Sequence, residues 1–264
     1  MTTRNTSTHG TTTHGTSTTT RSTSRTSRTR TKVSFLDALL ASPTPVVMEV
    51  KRRDAHGYDL LGGRTPAAIV AAYERAGAPC ISVVTGRWFG GSPALLRDVA
   101  AMTDLPLLQK DFITRKDQIR TAKELGASAV LLTAALLPES SMRTLVTEAL
   151  LAGLTPFVEV TTEAELELVP HASRCVIAVN NKDIKTRERG AGDLGRSLDL
   201  LPAVRATGTP CPVSASGIDG PATAANLLDA GFGGLLVGTS LLRTGSPVAW
   251  VDAVAAARKG LALR

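Results

Sequence analysis

The sequence predicts an α/β protein of the closed (β/α)8, or TIM barrel, type, and three observations carry that reading. Short apolar, β-branched runs alternate with segments of helical character eight times between Val46 and Gly260. The runs are continuously apolar rather than alternating, as parallel strands covered by helices require. The repeats come about every 20–36 residues, and eight of them in ~220 residues fit a closed barrel better than an open sheet. An open doubly wound sheet is the alternative, but the first strand–helix turn lacks the glycine fingerprint that fold would want.

The units follow in order. "VVMEV" (46–50) leads to "TPAAIVAAYERAG" (65–77), a helix opening on Thr-Pro and closing on glycine. "CISVV" (80–84) precedes "SPALLRDVAAM" (92–102), and "PLLQ" (106–109) precedes "RKDQIRTAKELG" (115–126). The fourth and fifth units are "SAVLL" (128–132) with "PESSMRTLVTEALLAG" (138–153) and "TPFVEV" (155–160) with "TEAELELV" (162–169). "CVIAV" (175–179) pairs with "RSLDLLPAVRATG" (196–208), and "CPVS" (211–214) with "PATAANLLDAG" (221–231). "GGLLV" (233–237) and "PVAWVDAVAAARKG" (247–260) complete the set.

Composition narrows the class. Hydrophobic residues make up 43% of the 264 residues but aromatics only 3%, so the core is built from Ala, Val and Leu. No apolar run approaches the ~18 residues that span a bilayer. Three cysteines (Cys80, Cys175, Cys211) lack metal-ligand spacing and read as buried reduced thiols of a cytoplasmic protein. The net charge of +7 is concentrated: Arg4, Arg21, Arg25, Arg28, Arg30 and Lys32 supply six of those charges, and residues 1–32 hold no acid. The body is therefore nearly neutral and carries no nucleic-acid footprint. The Thr/Ser/Arg-rich segment 1–32 reads as a disordered tail, leaving 33–264 as one barrel domain.

Charges interrupt the apolar runs where a barrel places its chemistry, at the C-terminal strand ends. Glu49 and Lys51 are two apart and point to one side. Lys110 ends strand 3, Glu159 ends strand 5 and Asn180 ends strand 6. Ser214, Ser216 and Gly217 follow strand 7; Gly238 and Thr239 follow strand 8. The last two turns, "SASGIDG" and "VGTSLLR", occupy the usual barrel phosphate site, where glycine lets backbone N–H groups approach an anion. Each residue also has an ordinary structural reading: Lys110 as a snorkelling strand-end lysine, Glu49 with Lys51 as one ion pair, Glu159 as a solvated carboxylate. Their convergence on one barrel mouth favours an active site.

From about residue 34 to 258 the chain resembles the indole-3-glycerol phosphate synthases, through "SFLDAL", "EVKR", "VVTGRWFGGS", "KDFI", "FVEV", "VNN", "SASGI" and "VGTSLLR" in order. The resemblance implies a lyase that closes the ring of 1-(2-carboxyphenylamino)-1-deoxyribulose 5-phosphate with loss of carbon dioxide and water. The setting is tryptophan biosynthesis or specialised indole metabolism. It implies Lys110 as general acid and Lys51 as partner of the aryl carboxylate and proton donor to the departing hydroxyl. Glu159 and Glu49 hold these lysines and accept the ring proton at rearomatisation, and Asn180 hydrogen-bonds sugar hydroxyls. Phe89, Phe112, Leu131 and Ile184 form the aryl slot, each of which also reads as plain core. Lys182, Ser216, Gly217, Gly238 and Thr239 complete the substrate contacts. No cofactor or metal is expected. The partner is a phosphorylated small molecule, with no nucleic acid and no membrane, and the expected state is a monomer, with a weak oligomer as the alternative.

The chain departs from the family pattern in four places. Asp54-Ala55-His56 stands for Ser-Pro-Ser, Lys182 for an arginine, and the Thr/Arg tail for a basic N-terminal helix. Ala215 stands where a barrel-facing glutamate is expected, and His56 or Asp54 could move into that space and take over proton handling. An enzyme on a related aryl-amino sugar phosphate, or a non-catalytic binding paralogue, are the other readings.

Overall fold

A computed structural model describes residues 33–184, 190 and 192–262. The disorder expected of 1–32 and the comparison with a covering N-terminal helix lie outside these residues.

Eight parallel strands close into a barrel in chain order: β1 (Val46–Val50), β2 (Ile81–Val84), β3 (Leu107–Lys110), β4 (Ala129–Thr133), β5 (Thr155–Val160), β6 (Val176–Asn180), β7 (Cys211–Ala215) and β8 (Gly234–Val237). The seam is β1 on β8, with Val47 opposite Leu236. Helices α2 (Pro66–Arg75), α3 (Pro93–Ala100), α4 (Lys116–Glu124), α5 (Glu139–Leu151), α6 (Glu163–Leu166), α7 (Leu194–Ala206), α8 (Pro221–Ala230) and α10 (Pro247–Ala262) follow the strands. Thr65 and Ser92 accept N–H bonds from Ala68 and Leu95, capping α2 and α3, each of which then begins with proline.

The alternation of side chains along each strand splits the core in two. Val46, Met48 and Val50 pack outward with Ile69, Val70 and Tyr73 of α2. Val47 faces the interior with Cys80, Leu108, Phe157, Val213 and Leu236. This is why the strands are buried on both faces and read as unbroken apolar runs.

Two helices were not among the expected ones. Helix α1 (Phe35–Leu40) contributes Phe35 and Leu39 to the barrel interior. Phe35 meets Phe157 edge-on at 6.1 Å, and its carbonyl accepts a bond from Cys80 Sγ at 3.4 Å. Helix α9 (Thr239–Arg243) follows β8. At six and five residues, neither is long enough to show helical periodicity. Ser214 lies inside β7, as the strand expected at 211–214 has it, but it does not belong with the mouth residues: between inward-facing Val213 and Ala215, its hydroxyl turns outward and meets Ser197 of α7 at 2.7 Å. No described helix is long and apolar enough to cross a membrane.

Candidate active site

The charges that interrupt the strands meet at the C-terminal mouth. Glu49, at the end of β1, is almost fully buried and holds two lysines at once: Lys51 Nζ is 3.1 Å from Oε1 and Lys110 Nζ is 3.2 Å from Oε2. Burial by itself would raise the Glu49 pKa. The ammonium of Lys110, then that of Lys51, outweigh it and hold the carboxyl down to about 2. Tyr73 of α2 fixes the strand end by donating its buried hydroxyl to the Glu49 carbonyl at 2.9 Å. That phenol is pushed well above its ordinary pKa by burial, so it remains a donor. Gly238 is needed for room, because a Cβ there would collide with the Glu49 carboxylate.

Two cavities open from this pair of lysines. One is a narrow slot of about 30 Å³ whose lining includes Phe89, Phe112, Leu131, Ile184 and Glu159 together with Lys51 and Lys110. Lys51 Nζ stands 5.5 Å from the centre of the Phe89 ring, a cation–π contact. Trp88 meets Phe112 edge-on at 5.0 Å. The other cavity, of about 790 Å³, is lined by Glu49 and the same two lysines, and also by Lys182, Ser216, Gly217, Gly238 and Thr239. The residues expected to hold an aryl ring and those expected to hold a phosphate are thus gathered in separate chambers that share Lys51 and Lys110.

Asn180 lines neither cavity. It is fully buried; its Oδ1 accepts the Lys182 N–H at 2.9 Å, while its Nδ2 has no hydrogen-bond partner among the described residues. Ala215 lies beside it in register and is likewise fully buried. Asp54 is not available to stand in for the missing carboxylate. Its Oδ1 accepts from the N–H groups of His56 and Tyr58 at 2.9 and 3.0 Å, and its Oδ2 pairs with Arg243 of α9 at 2.9 Å.

Of three further residues at the mouth, Asp111 stood in the sequence reading beside Lys110, whereas Arg243 and Asn181 escaped it. Asp111 accepts from Thr85 Oγ1 at 2.7 Å and from the Phe112 N–H at 2.8 Å, which seats Phe112 against the slot. Arg243 lines the wide cavity and ties the first loop to α9. Asn181 turns away from the barrel interior into a polar cluster behind the β7 turn.

A closed parallel barrel with paired lysines and carboxylates at the C-terminal mouth defines a (β/α)8-barrel enzyme. Comparison with known proteins gives its family. The family model described as indole-3-glycerol phosphate synthase matches residues 12–253, and the chain belongs to that family. Curated relatives carrying that name include one from Nocardioides sp., 38% identical over 78% of this chain and 78% of its own. Another, from Streptomyces coelicolor, is 38% identical over 86% of this chain and 83% of its own. One from Pyrococcus furiosus is 38% identical over 78% and 90%. Among solved structures, 3-hexulose-6-phosphate synthase from Salmonella typhimurium superposes with a TM-score of 0.64 at 12% identity, over 81% of this chain and 98% of that one, which speaks for the barrel fold alone.

Proposed function

We propose that the protein is an indole-3-glycerol phosphate synthase, converting 1-(2-carboxyphenylamino)-1-deoxyribulose 5-phosphate to indole-3-glycerol phosphate, carbon dioxide and water. The observation that carries this reading is the placement of Lys51 and Lys110, bridged by Glu49, at the junction of an apolar slot and a wide polar chamber. A substrate with an aryl carboxylate at one end and a phosphate at the other spans that junction.

In this reading the aryl ring enters the slot, its carboxylate facing Lys51. The phosphate sits at the turns of Ser216–Gly217 and Gly238–Thr239, with Lys182 and Arg243 on the chamber wall. Lys110 protonates the ketone oxygen as the ring carbon bearing the carboxylate attacks the ketone carbon, giving an alcohol. Loss of carbon dioxide returns its bonding electrons to the six-membered ring. Lys51 then protonates the departing hydroxyl, and a carboxylate, Glu159 or Glu49, accepts the proton released as the five-membered ring becomes aromatic. Asn180 Nδ2, buried and outside both cavities, meets a sugar hydroxyl only once the side chains that cover it move aside. The buried, unpaired thiols of Cys80, Cys175 and Cys211 support a reducing, cytoplasmic setting, and we take the working state to be a monomer.

The test is to incubate purified protein with the synthetic substrate and follow indole absorbance. Lys110→Ala is expected to lower kcat by roughly two to four powers of ten, the range for one general acid, with KM little changed. Near-wild-type turnover in that variant removes Lys110 from the mechanism, and absence of indole from the wild type removes the reading.

A further inference from the structure

We infer that Asn181 is a positioning residue: it clamps the turn after β7 in the one backbone shape that turns its N–H groups to an anion. The inference rests on the reading above in placing the substrate phosphate at that turn.

The turn is strained where it counts. Ser216 has φ 65° and Gly217 φ 71°, two successive residues in the left-handed region, and the first carries a side chain. Only two described non-glycine residues have positive φ, the other being His171, which precedes β6 and so lies on the side of the strand start rather than of the mouth. Holding a non-glycine residue there costs about 1–3 kcal/mol and persists only where the surroundings over-determine it.

Asn181 supplies that determination. Its Nδ2 donates to Ser214 Oγ at 3.0 Å, to the Ala215 carbonyl at 3.1 Å and to the Ser216 carbonyl at 3.0 Å. The two carbonyls are the last of β7 and the first of the turn, so one amide group fixes the direction in which the chain leaves the strand. Its main-chain N–H also donates to the Ala215 carbonyl, at 2.9 Å. The amide itself cannot rotate, because Ser197 Oγ donates to its Oδ1 at 2.7 Å. Asn181, Ser197 and Ser214 are all essentially excluded from solvent.

A second contact closes the clamp. The Asn181 carbonyl accepts from Asp193 N at 2.7 Å, which brings Gly192 against the turn so closely that a Cβ on Gly192 would lie 2.8 Å from Gly217 Cα. Asn180 and Asn181 therefore divide their work by strand alternation: the first presents its amide to the barrel interior, the second to the back of the turn.

The chemistry of the cluster makes the test selective. In Asn181→Asp the side chain keeps its shape and still accepts from Ser197, but the oxygen replacing Nδ2 faces the two carbonyls and repels them. The turn is then free to relax toward an ordinary conformation. With 1–3 kcal/mol of strain released, KM for the phosphorylated substrate and the inhibition constant of inorganic phosphate are expected to rise together by about five- to hundredfold. Turnover at saturation should stay within about threefold, because the lysine pair is untouched. Amide hydrogen exchange at Ser216 and Gly217 should quicken in the variant.

A role confined to stability would instead lower the melting temperature and leave the phosphate inhibition constant of the folded protein unchanged; that result overturns the inference. Should Asn181→Asp fail to fold, Asn181→Ala decides. It removes all three Nδ2 bonds without introducing a charge, and an unchanged phosphate inhibition constant there is equally fatal. If exchange quickens but inorganic phosphate fails to compete even in the wild type, the clamp stands and it is the placement of phosphate at this turn that falls, taking the inferred purpose with it.

Discussion

Replacing Glu49 by glutamine removes the one carboxylate that both lysines share and leaves two ammonium groups in a nearly dry site. The magnitude follows from the carboxyl itself. Its pKa falls from an ordinary 4.5 to about 2 in the folded protein, a difference worth ~3 kcal/mol of stability. The sign is fixed by linkage: a carboxyl with a depressed folded pKa stabilises fully above the unfolded value of 4.5 and loses that contribution as pH falls toward 2. At pH 7 Glu49→Gln is therefore expected to melt roughly 6–12 °C below the wild type, using about 2–4 °C per kcal/mol for a domain of this size. By pH 3 the wild type has lost about half of the advantage, so the gap between the two proteins should shrink by about half. Thermal unfolding followed by circular dichroism at pH 7, 4 and 3 measures this directly. A gap that does not change with pH would show that the glutamate contributes through packing or hydrogen bonding rather than through its charge, and a glutamine variant as stable as the wild type would refute the ion-pair argument altogether.

Three further outcomes follow from the mouth. The slot encloses about 30 Å³, whereas a cavity of roughly 150 Å³ is known to take a benzene ring, so the wall is expected to move on binding, and Trp88, exposed and packed edge-on against Phe112 of the slot, is expected to move with it. An unreactive reduced analogue of the substrate should therefore change tryptophan emission in the wild type and much less in Trp88→Phe, which retains Trp250; equal changes in both would place the movement elsewhere. Ala215→Glu sets a carboxylate beside Asn180 and favours charged lysines, so the basic limb of the kcat–pH profile should move to higher pH. An unmoved limb would mean that the new carboxylate does not sense the acid. Asp54→Asn breaks a pair whose arginine is largely exposed, so the expected cost is under about 1 kcal/mol and the melting temperature should fall by less than about 4 °C; a much larger fall would show the first loop to be part of the core.

How much of this was legible in the sequence depends on what kind of signal each residue leaves. Glu49, Lys110 and Glu159 are charges inside apolar runs, and a buried strand has no reason to carry them except at a site, so they stand out at once. The eight strands were readable for the same reason: parallel strands buried on both faces leave no alternation to confuse. Helices α1 and α9 were not, being shorter than two full turns of periodicity. Asn181 was invisible for a different reason. Two adjacent asparagines at a strand end look alike in sequence, and only the register of β6 against β7 decides which faces the barrel and which faces Ser214. Asp54 lies in a loop and Arg243 at the end of the short helix α9, where charge is ordinary; what distinguishes them is a contact between positions 189 residues apart.

The departures from the family pattern now bear on one another. With alanine at 215, no carboxylate projects from β7, and two lysines share the mouth with Glu49 and Glu159. A single carboxylate bound to two ammonium groups suits that shortage, since each oxygen of Glu49 serves one lysine. The altered first loop does not supply the missing anion, because all that Asp54 has to offer is taken by His56, Tyr58 and Arg243. It supplies anchorage instead. Arg64, at the far end of the same loop, donates to the carbonyls of Leu60, Leu61 and Leu242, so the loop is fastened to α9 at both of its ends. In the proposed reading α9 carries one of the phosphate turns and the loop leads out of β1 from Lys51. Phosphate binding at one end of the substrate is therefore joined, through two arginines, to the strand that presents the lysine at the other.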